Sequence, residues 1–368
     1  MKILIVTDAW KPQINGVVRT LEAIECEMRR MGHDIMIVGP EQSRRFSFPM
    51  PGYPEITLEF FAGRCLSKIL DTFLPDRVHI ATEGPLGWSM RRICLTRGLR
   101  FTTAYHSRFP EYIAARVVAA SSLTDRRHFR SRGGVLRFFQ NMTYNFITIS
   151  AYSFLRRFHA PSTAVLVSTA SMEEELRRRG FDKLARWNRG VDTEMFRPYG
   201  KDFPLYEGLP RPLLLYVGRV AREKSIPSFL ELKTEGSKVV IGEGPDLRKL
   251  RSEYLDAVFL GSLEGPALAR AFAAADLFVF PSATDTFGLV LLEACASGLR
   301  VAARPVPGPA DIFNNDNTRQ FAVLDDDLQK AVDSALALPD DPAPPRRFAE
   351  GFSWQACARE FYRHLLSA

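Results

Sequence analysis

Two carboxylates and the helix that carries one of them are the residues most able to do chemistry. Residues 281–298 open with Pro281-Ser282-Ala283-Thr284-Asp285-Thr286-Phe287-Gly288 and run through Glu293 to Gly298. The pattern predicts a helix capped by Thr286 and ended by Gly298. It is apolar almost all round, so it should be buried. Glu293 falls in its middle. A buried carboxylate with no partner costs roughly 3–5 kcal/mol, so Glu293 must meet a fixed cation, hydroxyl groups or a ligand. Asp285 lies in the loop before the first turn. The backbone N–H groups of Phe287, Gly288 and Leu289 there suit an anion such as phosphate. The plainer reading is a core strand, loop and helix in which Asp285 caps and Glu293 pairs with a core arginine. Spacing alone does not separate the two.

The elements that would hold these residues alternate along the chain. Residues 2–7 and 34–38 read as strands flanking a helix at 20–31, a βαβ unit. Residues 77–80, 101–105 and 164–168 are further strands. The pattern repeats at 212–217, 238–241, 258–260, 277–280 and 301–303, with helices between. This is the signature of two doubly wound α/β domains. Open parallel sheets bind ligands beyond the C-terminal ends of their strands. After the first strand comes a loop ending in Asn15-Gly16, which allows a ligand close to the backbone or is a plain turn. It lacks Gly-x-Gly-x-x-Gly, so a dinucleotide dehydrogenase is disfavoured. After residues 212–217 comes Gly218-Arg219-Val220-Ala221-Arg222-Glu223-Lys224, two cations five positions apart on a loop. After residues 101–105 comes Tyr105-His106-Ser107-Arg108, in which His106 is structural or ligand-facing.

The chain has 368 residues, 46% hydrophobic and 25% charged, enough for two globular domains with separate cores. No run approaches a membrane-spanning length. The first residues are too briefly apolar for a signal peptide and read as a strand. Five scattered cysteines argue for reduced thiols in a cytoplasm and against zinc. Residues 1–190 carry 29 Lys and Arg against 17 Asp and Glu; the rest carries 20 against 25. A basic first half suits nucleic acid, an anionic membrane or an anionic substrate. No nucleic-acid motif accompanies it, so anionic lipid is preferred. Asp325-Asp326-Asp327 looks like a metal tripod but precedes a helical pattern, where acids serve the helix N-terminus.

The run from Pro281 to Ala294 resembles the signature of the family-4 retaining glycosyltransferases of the GT-B fold, two carboxylates separated by seven residues. Here the first is Asp285 rather than Glu, a variant similar to the branch with GDP-mannose-dependent mannosyltransferases and sulfolipid synthases. The resemblance implies two Rossmann-like domains facing across a cleft: 1–190 on the acceptor side and 197–352 binding the nucleotide sugar. Asn188-Arg189-Gly190-Val191-Asp192 with Phe196-Arg197-Pro198 marks the hinge, and a last helix within 353–368 returns to the first domain. It further implies that Gly218, Arg219 and Lys224 clamp the donor diphosphate, stabilising charge that grows as the sugar leaves. His106 and Asp285 would meet the donor sugar. Asn15, Gly16, Phe287, Gly288, Leu289 and Glu293 would complete the donor site, Glu293 on the ribose. Arg108 would face the acceptor, and Gly242-Glu243-Gly244-Pro245 would lie near the nucleobase.

The expected activity is therefore transfer of a hexose, mannose from GDP-mannose first among candidates, to a lipid or glycan acceptor, and the resemblance implies no metal or other cofactor. The expected setting is cytoplasmic, or peripheral on the inner face of the cell membrane. The alternatives are a UDP-sugar-dependent glycolipid synthase, a non-catalytic nucleotide-sugar-binding protein, and a GT-B epimerase. Residues 118–147 read as an insertion, with Arg126, Arg127, Arg130, Arg132 and Arg137 among Phe129, Phe138, Phe139 and Phe146. It is either disordered or a basic-aromatic segment facing a membrane.

Overall fold

The computed structural model describes residues 1–13, 15–42, 47–50, 53–59, 62–106, 108–111, 113–114, 117, 133–283 and 285–367. The strands, in chain order, are β1 (Lys2–Val6), β2 (Asp34–Val38), β3 (Ser47–Met50), β4 (Tyr53–Glu59), β5 (Arg77–Ile80), β6 (Phe101–Tyr105), β7 (Val165–Val167) and β8 (Leu184–Arg186). They continue with β9 (Leu213–Val217), β10 (Ser237–Ile241), β11 (Ala257–Gly261), β12 (Leu277–Phe280), β13 (Arg300–Ala303) and β14 (Ala322–Leu324). Two parallel six-stranded sheets result, in orders β2-β1-β5-β6-β7-β8 and β11-β10-β9-β12-β13-β14. The antiparallel β3–β4 hairpin stands apart. Helical crossovers make parallel pairing possible and bury the strands on both faces. Accordingly β9 and β12 are buried at every position. Each Leu, Val or Phe so placed contributes roughly 1.5–3 kcal/mol.

Contacts divide the chain into two units. One comprises Met1–Val167, Met172–Arg186 and Tyr362–Ala368; the other comprises Ser168–Ser171 and Trp187–Phe361. The last helix, Trp354–Leu366, thus changes unit along its length. In the second unit Trp187 Nε1 donates to the Cys357 carbonyl at 3.2 Å. In the first, Tyr362 stacks on His33 at 4.5 Å and Arg77 Nε donates to the Leu365 carbonyl at 2.8 Å.

One local expectation needs correction, and another is described only in part. The first helix spans Gly16–Arg30, starting earlier than residue 20 because the Asn15 side chain caps it, accepting from the Val17 and Val18 N–H at 3.0 Å each. Of the expected insertion at 118–147, only the part from residue 133 is described. Residues 133–147 form the first half of one helix, Gly133–His159. Its buried residues Thr148, Tyr152, Leu155, Phe158 and His159 recur at helical spacing against the first sheet. Residues 118–132, with Arg126, Arg127, Phe129, Arg130 and Arg132, lie outside the described residues, as do the side chains of Arg137, Phe138 and Phe139. Among the described residues no helix is long and apolar enough to cross a membrane, and none of the five cysteines is in a disulfide.

Candidate functional site

The second sheet places its chemistry by topology. From β9 the chain crosses to β10 and β11 on one side, and β12 then resumes on the other side of β9. The strand order reverses between β9 and β12, the place where an open α/β sheet leaves a crevice for a ligand. The loops leaving these two adjacent strands carry Gly218–Lys224 and Pro281–Gly288.

The β9 loop is fixed by its backbone. The Gly218 N–H donates to the Ile241 carbonyl at 3.0 Å and the Val220 N–H to the Glu243 carbonyl at 2.8 Å. A Cβ on Gly242 would stand 1.9 Å from the Gly218 carbonyl oxygen, and one on Gly244 2.2 Å from that of Val220. Two loops can lie this close only without side chains at those positions. Beneath them, the Tyr216 hydroxyl donates to the Arg219 carbonyl at 2.9 Å. Burial holds the Tyr216 phenol well above its ordinary value, and the charges of Asp285 and Glu223 add to the effect. The short turn Arg222–Lys224 then leaves Arg222 exposed while Lys224 is partly buried.

Lys224 forms an ion pair with Asp285, its Nζ on Oδ1, with the two side chains 22% and 16% exposed. The other carboxylate oxygen of Asp285, Oδ2, is buried and makes no hydrogen bond within the chain. Ser282, fully buried on the same loop, likewise has an Oγ without a partner. Such orphaned atoms cost about 1–3 kcal/mol each unless water or a ligand meets them.

The helix after this loop departs from expectation. It spans Leu289–Ala296, eight residues, and its N-cap is Gly288 in the left-handed region (φ +86°), not Thr286. Phe287 is buried, so the chain must turn sharply before the helix can start, and glycine permits that turn. Gly298 (φ +83°) follows the end of the helix as expected. Glu293 is 6% exposed among Leu291, Leu292, Ala294 and Cys295. The turn is backed by Gly308, whose Cβ would stand 2.7 Å from the Phe287 carbonyl oxygen and 3.3 Å from that of Asp285.

Of the expected site residues, Gly218, Arg219, Lys224, Asp285, Phe287, Gly288, Leu289 and Glu293 belong to the second unit, on the two loops and the helix just described. Asn15, Gly16 and His106 belong to the first. There the side-chain oxygen of Asn15 is engaged in its cap, Gly16 is the first helical residue, and His106 is half-buried directly after β6. Arg108 pairs with Glu175, which lies 3.2 Å from the Tyr152 hydroxyl. Of the three acids that resemble a metal tripod, Asp327 caps the helix Leu328–Leu336 by accepting from the Gln329 N–H at 3.0 Å.

Sequence reasoning gave three contributors no role of their own. Ser282 stands in the Pro281–Ala294 run and Gly308 in a loop that resembles one of the family, yet neither they nor Tyr216 can be given a part from sequence, because each acts through a tertiary neighbour. In the first unit, Asp8, two residues past the end of β1, accepts from the Leu86 and Gly87 N–H, at 2.9 and 3.3 Å, and from the Thr82 hydroxyl. Burial raises its carboxyl from 3.8 to about 6, against the opposing pull of those hydrogen bonds.

Comparison with known proteins gives matches along most of the chain. The family model described as Glycosyltransferase Family 4 matches residues 14–195, and that of Glycosyl transferases group 1 matches residues 211–341. The chain is 29% identical over 378 residues to the sulfoquinovosyl transferase SQD2 of Arabidopsis thaliana, covering 93% of this chain and 68% of the relative. It is 27% identical over 389 residues to a GDP-mannose-dependent alpha-mannosyltransferase of Mycobacterium tuberculosis, covering 99% and 96%. Among solved structures, the sucrose-phosphate synthase of Thermosynechococcus elongatus superposes with a TM-score of 0.74 at 17% identity, over 100% of this chain and 99% of the other.

Proposed function

Because this chain belongs to the family-4 glycosyltransferases of the GT-B fold and is a hexosyltransferase, we propose that it moves mannose from GDP-mannose to a lipid acceptor with retention of anomeric configuration. The observation that carries this reading is the pairing of Lys224 with Asp285 where the loops of β9 and β12 meet. A diphosphate at that switch point meets Arg219 and Lys224. As the bond from sugar to phosphate oxygen breaks, negative charge grows on the leaving oxygen, and cations already in place stabilise that state more than the ground state. Asp285 Oδ2 accepts a hydroxyl of the sugar, and the Glu293 carboxylate accepts the two ribose hydroxyls. The donor phosphate takes the proton of the attacking acceptor hydroxyl on the same face. Because Arg219 and Lys224 supply the positive charge, the reaction asks for no metal.

The mannose donor is supported by the mannosyltransferase relative, which matches nearly end to end. A glycolipid synthase using another sugar nucleotide is the second reading, favoured by the sulfoquinovosyl transferase match. What supports a lipid acceptor is a surface of the first unit. On the helix Gly133–His159, Met142, Phe146 and Ile149 are 53%, 72% and 63% exposed and share one face, which continues into the exposed Arg156 and Arg157. Exposed Phe154 lies 4.9 Å from Trp88, and the Arg91 guanidinium covers that same ring. Apolar side chains beside arginines suit an anionic bilayer.

The test is incubation with GDP-mannose and a panel of labelled UDP- and GDP-sugars in the presence of membrane extract, with identification of the product. Labelled lipid from GDP-mannose alone is the expected result. Transfer only from UDP-sugars selects the second reading, and no transfer from any donor refutes both.

A further inference from the structure

In the reading above Lys224 meets phosphate and Asp285 meets sugar. In the structure each is the other's partner. We infer that Asp285 is also a positioning residue for Lys224: one carboxylate oxygen presets the ammonium beside β9, so the donor diphosphate must share that cation with Asp285. The inference rests on the donor reading and adds an internal competitor to it.

Both ends of the pair are anchored, which separates it from a chance surface contact. On the lysine side, the Lys224 N–H donates to the Ala221 carbonyl at 3.0 Å, and Ser225 follows in the left-handed region (φ +52°). On the aspartate side, the main chain is pinned by Gly308 behind Asp285 and Phe287 and by the Gly288 turn. A lysine has four rotatable bonds and loses about 2 kcal/mol of rotamer freedom when held. An aspartate already in place bears that cost before the donor arrives. The charge of Asp285 also reaches Tyr216, whose hydroxyl holds the Arg219 carbonyl. The acid therefore sits within electrostatic range of the strand end that carries both clamp cations. Its Oδ1 is used by Lys224 and its Oδ2 is buried and unbonded, so the carboxylate can hold the lysine and accept a sugar hydroxyl at once.

A nucleoside diphosphate, which has no hexose, separates this role from a sugar contact. Its affinity is insensitive to residue 285 if the side chain meets only sugar, and sensitive if the side chain competes for Lys224. The experiment is calorimetric titration of GDP and of UDP into the full-length parent, Asp285→Asn, Asp285→Glu, Lys224→Ala and Asp285→Asn/Lys224→Ala, with initial rates for the single variants. Asp285→Asn should bind the diphosphate about threefold to tenfold more tightly, the range for removing a partly screened like charge, while its kcat falls. Asp285→Glu, which keeps the charge, should stay near the parent. In the Lys224→Ala background the gain should vanish, as a double-mutant cycle requires of coupled residues. If Asp285→Asn does not fold, Asp285→Ser makes the same comparison. A diphosphate affinity within about twofold of the parent, or an equal gain without Lys224, overturns the pairing role and leaves the donor site standing. A parent that binds neither GDP nor UDP removes both.

Discussion

Replacing Lys224 by alanine should damage stability and turnover by different amounts, and the two can be pulled apart. The stability loss follows from what the side chain leaves behind. Asp285 is 16% exposed and its Oδ2 already lacks a hydrogen bond, so without the ammonium its second oxygen also loses its partner. Breaking a buried pair costs about 3–5 kcal/mol and an exposed one about 0.2–1. With both side chains partly screened, about 1–2 kcal/mol is expected, a few degrees in Tm. The catalytic loss is larger: removing one preorganised donor from developing negative charge costs about 10²–10³ in kcat, roughly 3–4 kcal/mol. Adding Asp285→Asn to Lys224→Ala removes the stranded carboxylate and should recover the Tm but not the rate. Arg219→Ala should lose turnover similarly. Arg222→Ala, exposed between them, should change neither measure. Lys224→Arg should also be slow, since a planar guanidinium does not replace a compact ammonium in a fitted site. The assay is thermal melting beside initial rates and donor KM. If the double variant regains the rate, the ammonium served only to neutralise Asp285. If Arg222→Ala is hit as hard as its neighbours, the loop is a generic positive patch.

Glu293→Gln should fold normally and lose donor affinity by about tenfold to a hundredfold, the worth of hydrogen bonds to a charged group; a large drop in Tm with donor affinity kept would instead mark a core ion pair. Gly308→Ala places a Cβ 2.7 Å from the Phe287 carbonyl oxygen, so it should cost about 1–3 kcal/mol and raise donor KM; an unchanged KM would show that the turn tolerates displacement. Asp8 gives a pH signature. Its folded carboxyl titrates at about 6 against an ordinary 3.8, so the folded chain holds the proton more tightly. Stability from this group is therefore present below about pH 4, falls as pH rises to about 6, and stays lost above, by up to about 3 kcal/mol. Asp8→Asn should gain Tm relative to the parent between pH 4 and 7.5, and a constant difference across that range refutes the assignment. Phe146→Ser with Ile149→Ser should reduce flotation with vesicles of anionic lipid, and unchanged flotation would clear this face of the proposed membrane contact.

Much of this protein is readable from residue pattern because parallel strands are buried on both faces. Runs such as Leu277–Phe280 and Arg77–Ile80 are short, apolar and bounded, and their ends match expectation to the residue. Strands of three residues, such as Leu184–Arg186 and Ala322–Leu324, carry too little pattern and were not foreseen. The Gly133–His159 helix was hidden because Met142 and Phe146 face outward ahead of the buried Thr148 and Tyr152, so no buried stripe marks it before residue 148. At the site, the titratable residues were legible by type, and the loop positions of Arg219, Lys224 and Asp285 followed from strand ends. The ion pair was not legible. Lys224 and Asp285 are 61 positions apart, and only the reversal of strand order beside β9 makes them neighbours. Thr286 had the chemistry of a cap, but the buried Phe287 forced a left-handed turn that Gly288 alone could make.

The interlocked glycines of the β9 and β10 loops set a limit on how this site can diverge. With the Gly218 carbonyl 1.9 Å from where a Gly242 Cβ would lie, neither loop can gain a side chain there without unseating the other. Gly244 imposes the same condition on Val220. Loop length is equally restricted, because each inserted residue would break the hydrogen bonds from Gly218 to Ile241 and from Val220 to Glu243. Random mutagenesis selected for a new sugar nucleotide should therefore leave this backbone frame untouched and collect its changes in outward side chains such as Glu243. An engineer changing side chains here inherits a fixed backbone frame with interchangeable furniture around it.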